Sequence, residues 1–303
     1  MLELIVKTTD EQTKREKELS MKTGDLVGAI YDRLLDQYTD PDSHETQRNI
    51  NKICVRLVFL LYAEDAMIFG DKNEFHDYLK DIPATKWRSA LIELFKVLNT
   101  PVDQRDPYLD EDLKRFPYVN GGLFADEIQL PQFTEELKDL ILNKASANFD
   151  WSSISPSIFG SVFESTINPT ERRKGGMHYT ATANIHKVID PLFLNQLNHE
   201  FDACKTTKEY IAFQDKLASL TFFDPACGSG NFLTETYISL RRLENKIVQK
   251  VFKEQPLMGD LYNPIKVDIH QFYGLEINDF AVTVATTALW IAESQMMQET
   301  EQK

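Results

Sequence analysis

Apolar residues fall three or four apart along most of this chain, and two short apolar runs in its last third are bounded instead by turn residues. After a polar lead that reads as a solvated arm, Leu26, Ile30, Leu34 and Leu35 mark one face of a helix. Residues 46–69 repeat the pattern with Ile50, Ile53, Leu57, Leu60, Leu61 and Ala63, and Val58 and Phe59 widen the face, so this helix is predicted to be largely buried. Further helices are expected around 73–79, 85–98 and 134–142, separated by Pro101, Pro107, Pro117 and Pro131 and by a Gly121-Gly122 turn. Ser155 followed by Pro156 is a helix start, the serine as N-cap and the proline at the first helical position. Beyond Thr180 a helix carries Ile185, Val188 and Ile189, and Asp190-Pro191 should restart it through Leu192, Phe193, Leu194 and Leu197.

The first short run is Phe222-Phe223, leading into Asp224-Pro225-Ala226-Cys227-Gly228-Ser229-Gly230-Asn231-Phe232-Leu233. It reads as strand, tight turn, helix: Asp224 at the carboxyl end of a buried strand, Gly228 and Gly230 in the turn, and a helix opening near Asn231. That helix runs through Tyr237, Leu240, Leu243 and Ile247 to about Phe252. The second run, near 271–275, ends at Glu276, and Asn278 or Asp279 should cap a last helix carrying Phe280, Val284, Ala288 and Ile291. Two parallel strands joined by a helical crossover follow, and ligands of such sheets bind at the strands' carboxyl ends. A dinucleotide loop requires a third glycine where this chain has Leu233, and an acid roughly 20 residues after the loop, whereas Glu276 comes much later. A carboxylate at a strand end can accept two hydrogen bonds from a ribose diol, and Asp224 is an anion suited to a cationic amino group rather than to phosphate.

Charge and composition narrow the picture. A formal charge of -14 over 303 residues argues against a large basic face, so duplex DNA should be bound weakly or not at all by this chain alone. Cys54, Cys204 and Cys227 are odd in number and far apart, which suits a reducing cytoplasm better than a disulfide framework. His178, His186 and His199 share no metal-ligand spacing and read as surface or capping residues, so no metal site is expected. Glu64 and Asp65 read as a solvated helix end, Glu171-Arg172-Arg173-Lys174 as a solvated turn, and Cys227 as a loop-packing residue without a catalytic partner. The start carries no signal-peptide pattern, and the most apolar stretch, 57–63, is far short of the roughly 20 residues that span a bilayer.

Asp224 to Gly230 resembles motif I of N6-adenine DNA methyltransferases, Gly274-Leu275-Glu276-Ile277 resembles their motif II, and Gly175-Gly176-Met177-His178-Tyr179-Thr180 is similar to motif X, with Ala181 in place of the usual proline. Phe116 to Phe124 and Ser157 to Glu164 are similar to the helical spacer of the MmeI-like type IIG restriction-modification family. The likeness covers roughly residues 20 to 298. It implies an α/β chain: a mainly helical domain over 1–153, followed over 154–303 by a partial Rossmann-like class I methyltransferase fold. It implies S-adenosyl-L-methionine as cofactor, held by His178, Tyr179, Thr180, Asp224, Pro225, Ala226, Cys227, Gly228, Gly230, Asn231, Phe232, Glu276 and Ile277. In that family the motif I acid and loop hold the methionine part, and the motif II acid holds the ribose. The intact protein would then act on double-stranded DNA.

The Asn-Pro-Pro-Tyr or Phe motif that would hold a flipped adenine is absent here; Asn168-Pro169-Thr170 and Asn263-Pro264-Ile265 do not match it, so no catalytic residue is assigned. The expectation is a spacer plus cofactor-binding half, inactive alone, lacking a nuclease cluster, and prone to self-association through an incomplete sheet. Two rivals stand beside it. One is a non-catalytic assembly subunit completed by a second chain, and the other is a nicotinamide-dependent oxidoreductase, which Leu233 and the Glu276 spacing oppose.

Overall fold

A computed structural model describes residues 2–119, 122–167, 182–252 and 264–301. It divides into two compact units, one built from the chain through Ile154 with the segment from Ser161, the other from Ser155–Gly160 and the carboxyl-terminal part.

Among its described residues the first unit is built of helices joined by turns and loops, with no strand. Helix α1 spans Leu2–Leu35, so the polar lead continues the helix instead of forming a separate arm. Its buried stripe is Ser20, Thr23, Val27, Ile30, Tyr31 and Leu34; Leu26 and Leu35 flank it, half-buried. Helix α2, His44–Asp65, starts where Ser43 Oγ accepts from Thr46 N at 3.1 Å. It is buried as expected, and all of its last turns are enclosed. Arg56 is buried within it, donating to the carbonyls of Leu123 at 2.8 Å and Asp126 at 2.7 Å beneath the rings of Phe95 and Phe124. Burial pulls this guanidinium down to about 10, against the opposing pull of Asp126.

Glu64 and Asp65 correct an expectation. Neither ends in solvent as a free charge: Glu64 is 1% exposed and accepts from His76 N at 2.9 Å and Ser146 Oγ at 2.7 Å, while Asp65 accepts from Trp151 N at 2.7 Å. The end of α2 thus pins three later segments. Helices α3 (Glu74–Lys80), α4 (Ala84–Leu98), α5 (Glu111–Lys114) and α6 (Glu135–Asp139) follow, the last running on as a π-helix over Leu140–Ser146.

Helix α7, Pro156–Ile167, begins with Ser155 as its cap, Oγ accepting from Ile158 N at 3.2 Å. Helix α8, Thr182–Ile189, does not restart at Pro191; it continues through a π-turn, Asp190–Leu194, into α9, Asn195–Ala203. Helix α10, Thr207–Ser219, opens on a reciprocal cap between Thr206 and Glu209, a signature not read as a helix start from the sequence. Strand β1 is Phe222–Asp224, α11 is Asn231–Phe252, β2 is Phe272–Gly274 and α12 is Asp279–Glu301.

The two strands are parallel, with Phe222 opposite Phe272 and Asp224 opposite Gly274. Phe222 and Phe272 stack at 5.2 Å on the covered face, over Leu217, Leu233, Tyr237, Leu240, Leu243 and Ile247. The other face is open: Phe223 is 62% and Tyr273 55% exposed, so β1 is half-covered rather than buried. Between α11 and β2, Glu244 accepts from Gln214 Nε2 at 2.8 Å, Lys266 N at 2.7 Å and Val267 N at 3.1 Å while paired with Arg241, both side chains fully buried. Among the described residues no helix is long and apolar enough to cross a membrane.

Candidate functional site

The strand pairing continues past both strand ends and builds the loop. Leu275 N donates to Asp224 O at 2.9 Å, and Cys227 N donates to Leu275 O at 3.0 Å, which lays the Asp224–Gly230 turn alongside the chain that carries Glu276. Asp224 Oδ1 accepts from Ala226 N at 3.0 Å, a local turn that fixes its carboxylate at the strand end. Gly228 and Gly230 sit at φ of 53° and 78°, in the left-handed region where glycine carries no side-chain penalty. A methyl group on Gly230 would also lie 2.8 Å from Ala285 Cβ in α12, so the turn needs a bare backbone there twice over.

Glu276 closes the site. Its Oε1 accepts from Asn278 N at 2.9 Å and its Oε2 from Gly228 N at 3.0 Å. Those amides, Asn278 first and Gly228 after it, hold the carboxyl below its usual range, so it stands as an anion with further lone pairs on each oxygen. Ile277 beside it is fully exposed. The arrangement offers two carboxylates and a turn of backbone amides at one end of a parallel pair. That electrostatic balance favours a ligand with hydroxyl donors and a cationic group over one carrying a pyrophosphate.

Asp224, Pro225, Ala226, Gly228, Glu276 and Ile277 are brought together at this end of the strands. Cys227 packs its sulfur against Gly274, and burial first, then the charges of Asp224 and Glu276, push its thiol up. That environment disfavours a thiolate nucleophile. Asn231 is buried at the start of α11, with Oδ1 lacking a hydrogen-bond partner among the described residues. Phe232 is partly buried and packs on Ile185, Ile189 and Leu194. His178, Tyr179 and Thr180 lie outside the described residues, as do Glu171 to Lys174, Asn168-Pro169-Thr170 and Asn263.

One cluster beside the loop escaped the reading of the sequence. His186 is neither a surface nor a capping residue: it bridges Asp190 at 2.7 Å and Glu235 at 3.0 Å, tying α8 to the second turn of α11. Burial opposes the charged ring, but the two carboxylates outweigh it and raise its pKa. The i, i+4 spacing of His186 and Asp190 was the available signal; Glu235 could not be paired with them by spacing.

Comparison with known proteins places these features. Residues 201–303 match the family described as MmeI, DNA-methyltransferase domain, and residues 48–124 match MmeI, helicase spacer domain, together more than half of the chain. The chain belongs to the MmeI-like family. It is 38% identical over 291 residues to DNA methyltransferase A of Bacillus subtilis (strain 168), covering 94% of this chain and 32% of that protein. It is also similar to the solved structure of the type IIL restriction-modification enzyme MmeI in complex with DNA, with a TM-score of 0.80, 38% identity, and coverage of 93% of this chain and 37% of that one. This MmeI-like chain therefore spans about a third of the length of these relatives. The methyltransferase match contains Asp224, the glycine turn and Glu276, and the spacer match contains most of α2 and all of α3 to α5.

Proposed function

We propose that this chain is the helical spacer and S-adenosyl-L-methionine-binding part of a site-specific DNA adenine-N6 methyltransferase of a restriction-modification system. The observation that carries the proposal is the pairing of Asp224 and Glu276 at adjacent parallel strand ends, with the Gly228–Gly230 turn between them. The residues present fit that cofactor. Glu276 accepts from Asn278 N through Oε1 and from Gly228 N through Oε2, and a carboxylate oxygen can accept a ribose hydroxyl as well. A methyl group built on Gly228 meets nothing within 4 Å, so the turn's outer side is open to a ligand.

When bound, S-adenosyl-L-methionine supplies a methyl group on a sulfonium. In this reading Glu276 would orient the ribose, Asp224 and the turn would hold the methionine part, and Ile277 would add a contact to the cofactor. The two carboxylates also suit a cofactor with positive charge. His178, Tyr179 and Thr180 are proposed to complete the methionine end by their likeness to motif X.

No residue of this chain is assigned to the methyl transfer itself, and activity is proposed only for a protein that also carries the motif holding the target base. A Rossmann-like sheet wider than the pair described here, a double-stranded DNA partner and a cytoplasmic setting belong to the same proposal. The preference for adenine N6 is supported by the family likeness. With a charge of -14, the spacer and cofactor part should leave most phosphate contacts to other parts of the protein.

Calorimetric titration of the 303-residue chain with S-adenosyl-L-methionine tests the site. Glu276→Ala should weaken binding by about 1.5 kcal/mol or more, the scale of lost hydrogen bonds to a charged acceptor. Absence of binding, or equal binding by Glu276→Ala, would overturn the assignment.

A further inference from the structure

Helix α7 touches the candidate loop through the one residue in that turn without a side chain. A methyl group built on Gly160 would lie 2.8 Å from Asn231 Oδ1, 3.1 Å from Ser229 Cβ and 3.1 Å from Ser229 Oγ. Ser229 is 4% and Asn231 8% exposed, so neither has solvent to retreat into. On its other side the loop is stopped at Gly230 by Ala285 of α12, 2.8 Å from where a Cβ would sit. The segment Ser229–Asn231 is therefore clamped between two helices at distances that admit no extra carbon. Glycine inside a helix is locally unfavourable, which makes its presence at this contact informative.

We infer that Gly160 is a positioning residue for the Asp224–Asn231 loop: its missing side chain lets α7 seat Ser229 and Asn231, and so sets where the Gly228 amide meets Glu276. The Asn231 amide can swivel away from an added methyl. Ser229 Cβ moves only with its backbone, and Ala285 blocks retreat toward α12. The displacement is then passed along the loop toward Gly228, whose N–H donates to Glu276. The consequence for a ligand rests on the cofactor reading proposed above.

The test is a mutant cycle on the whole chain with two readouts. Gly160→Ala should weaken S-adenosyl-L-methionine binding about tenfold, the low end of what overpacking a close contact does. Adding Ser229→Gly, which removes the carbon that cannot swivel, should recover most of that loss once its own effect is subtracted. Hydrogen exchange of the ligand-free chain reads the clamp directly: the loop amides should exchange faster in Gly160→Ala and slow again in the double variant. Were Gly160 an ordinary helical glycine, alanine would raise the melting temperature and leave both readouts unmoved, and that result overturns the inference. Loop exchange that responds while the unsubstituted chain fails to bind sinks the cofactor reading but leaves the clamp standing. Binding by the unsubstituted chain with no response to Gly160→Ala sinks the clamp alone.

Discussion

His186→Gln should destabilise the chain in mild acid and leave it nearly unchanged in mild alkali. The ring sits between Asp190 at 2.7 Å and Glu235 at 3.0 Å, and its side chain is 32% exposed, against 7% for Glu235 and 39% for Asp190. At an effective dielectric between those of water and a protein surface, two unit charges about 4 Å apart attract by about 1–4 kcal/mol. Partial exposure and the cost of burying the ring bring the net contribution of both pairs to about 1–2 kcal/mol. The sign follows from the raised pKa. The folded state binds the proton more tightly than the unfolded chain, whose histidine titrates at the ordinary value of 6.5. The stabilisation is therefore fully present below that value and is lost as pH rises through the higher folded value. Glutamine keeps a neutral donor but cannot gain the charge. Urea denaturation of both proteins at about pH 5.5 and about pH 9 should give a difference of about 1–2 kcal/mol at the lower pH that shrinks toward zero at the higher. A difference independent of pH would refute the charged bridge and reduce His186 to a packing residue.

The end of α2 and the glycine turn supply two further tests. Glu64 is buried and its pKa raised, with burial as the main cause, so Glu64→Gln should be near neutral whereas Glu64→Ala, which orphans His76 N–H and the Ser146 hydroxyl, should cost about 2–4 kcal/mol in urea denaturation. The burial penalty on the Glu64 charge should ease as pH falls through its raised folded value toward the ordinary 4.5, an effect missing in Glu64→Gln. Gly228→Ala meets open space and should cost only about 1 kcal/mol for its left-handed backbone, while Gly230→Ala, blocked by Ala285, should cost about 2–4 kcal/mol, measured by the same denaturation. Equal costs at the two glycines would count against the close approach of α12.

What could be read from the chain beforehand was whatever rests on short spacing. Helix α11 was legible because its apolar positions repeat without interruption to Phe252. The turn was legible because an acid, a proline and two glycines within seven residues leave few backbone paths. Helix α1 was legible only from Leu26, since residues 7–18 carry no apolar position to separate a helix from a polar arm. The π-turns left no mark, because a single extra residue per turn does not disturb an apolar pattern enough to show. Burial of Glu64 was invisible for a different reason: Ser146, which satisfies it, is 82 residues away, and a charge with a distant donor looks the same in sequence as a solvated one. Gly160 was hidden likewise, as its meaning lies in Ser229 and Asn231 and not in its own helix.

Two three-residue strands form too short a ladder to set the distance between Asp224 and Glu276 unaided. Helix α11 does the larger part of that work. It leaves the turn at Asn231, packs Leu233 and Tyr237 under the strands, and further along presents Glu244 to the chain re-entering the sheet. There Glu244 takes the amides of Lys266 and Val267, and Gln271 donates to the carbonyls of Leu217 at 2.9 Å and Leu220 at 2.7 Å, just before β1. The approach to β2 is thus tied to the helix that follows β1 and to the chain that leads into β1. The buried Glu244 side chain is held by Arg241 and by three further donors, an arrangement that is weak evidence for stability but strong in fixing geometry, since every donor has one place to be. The two acids of the candidate site are 52 positions apart in the chain, and what brings them to adjacent strand ends is this buried network more than the strand pairing it serves.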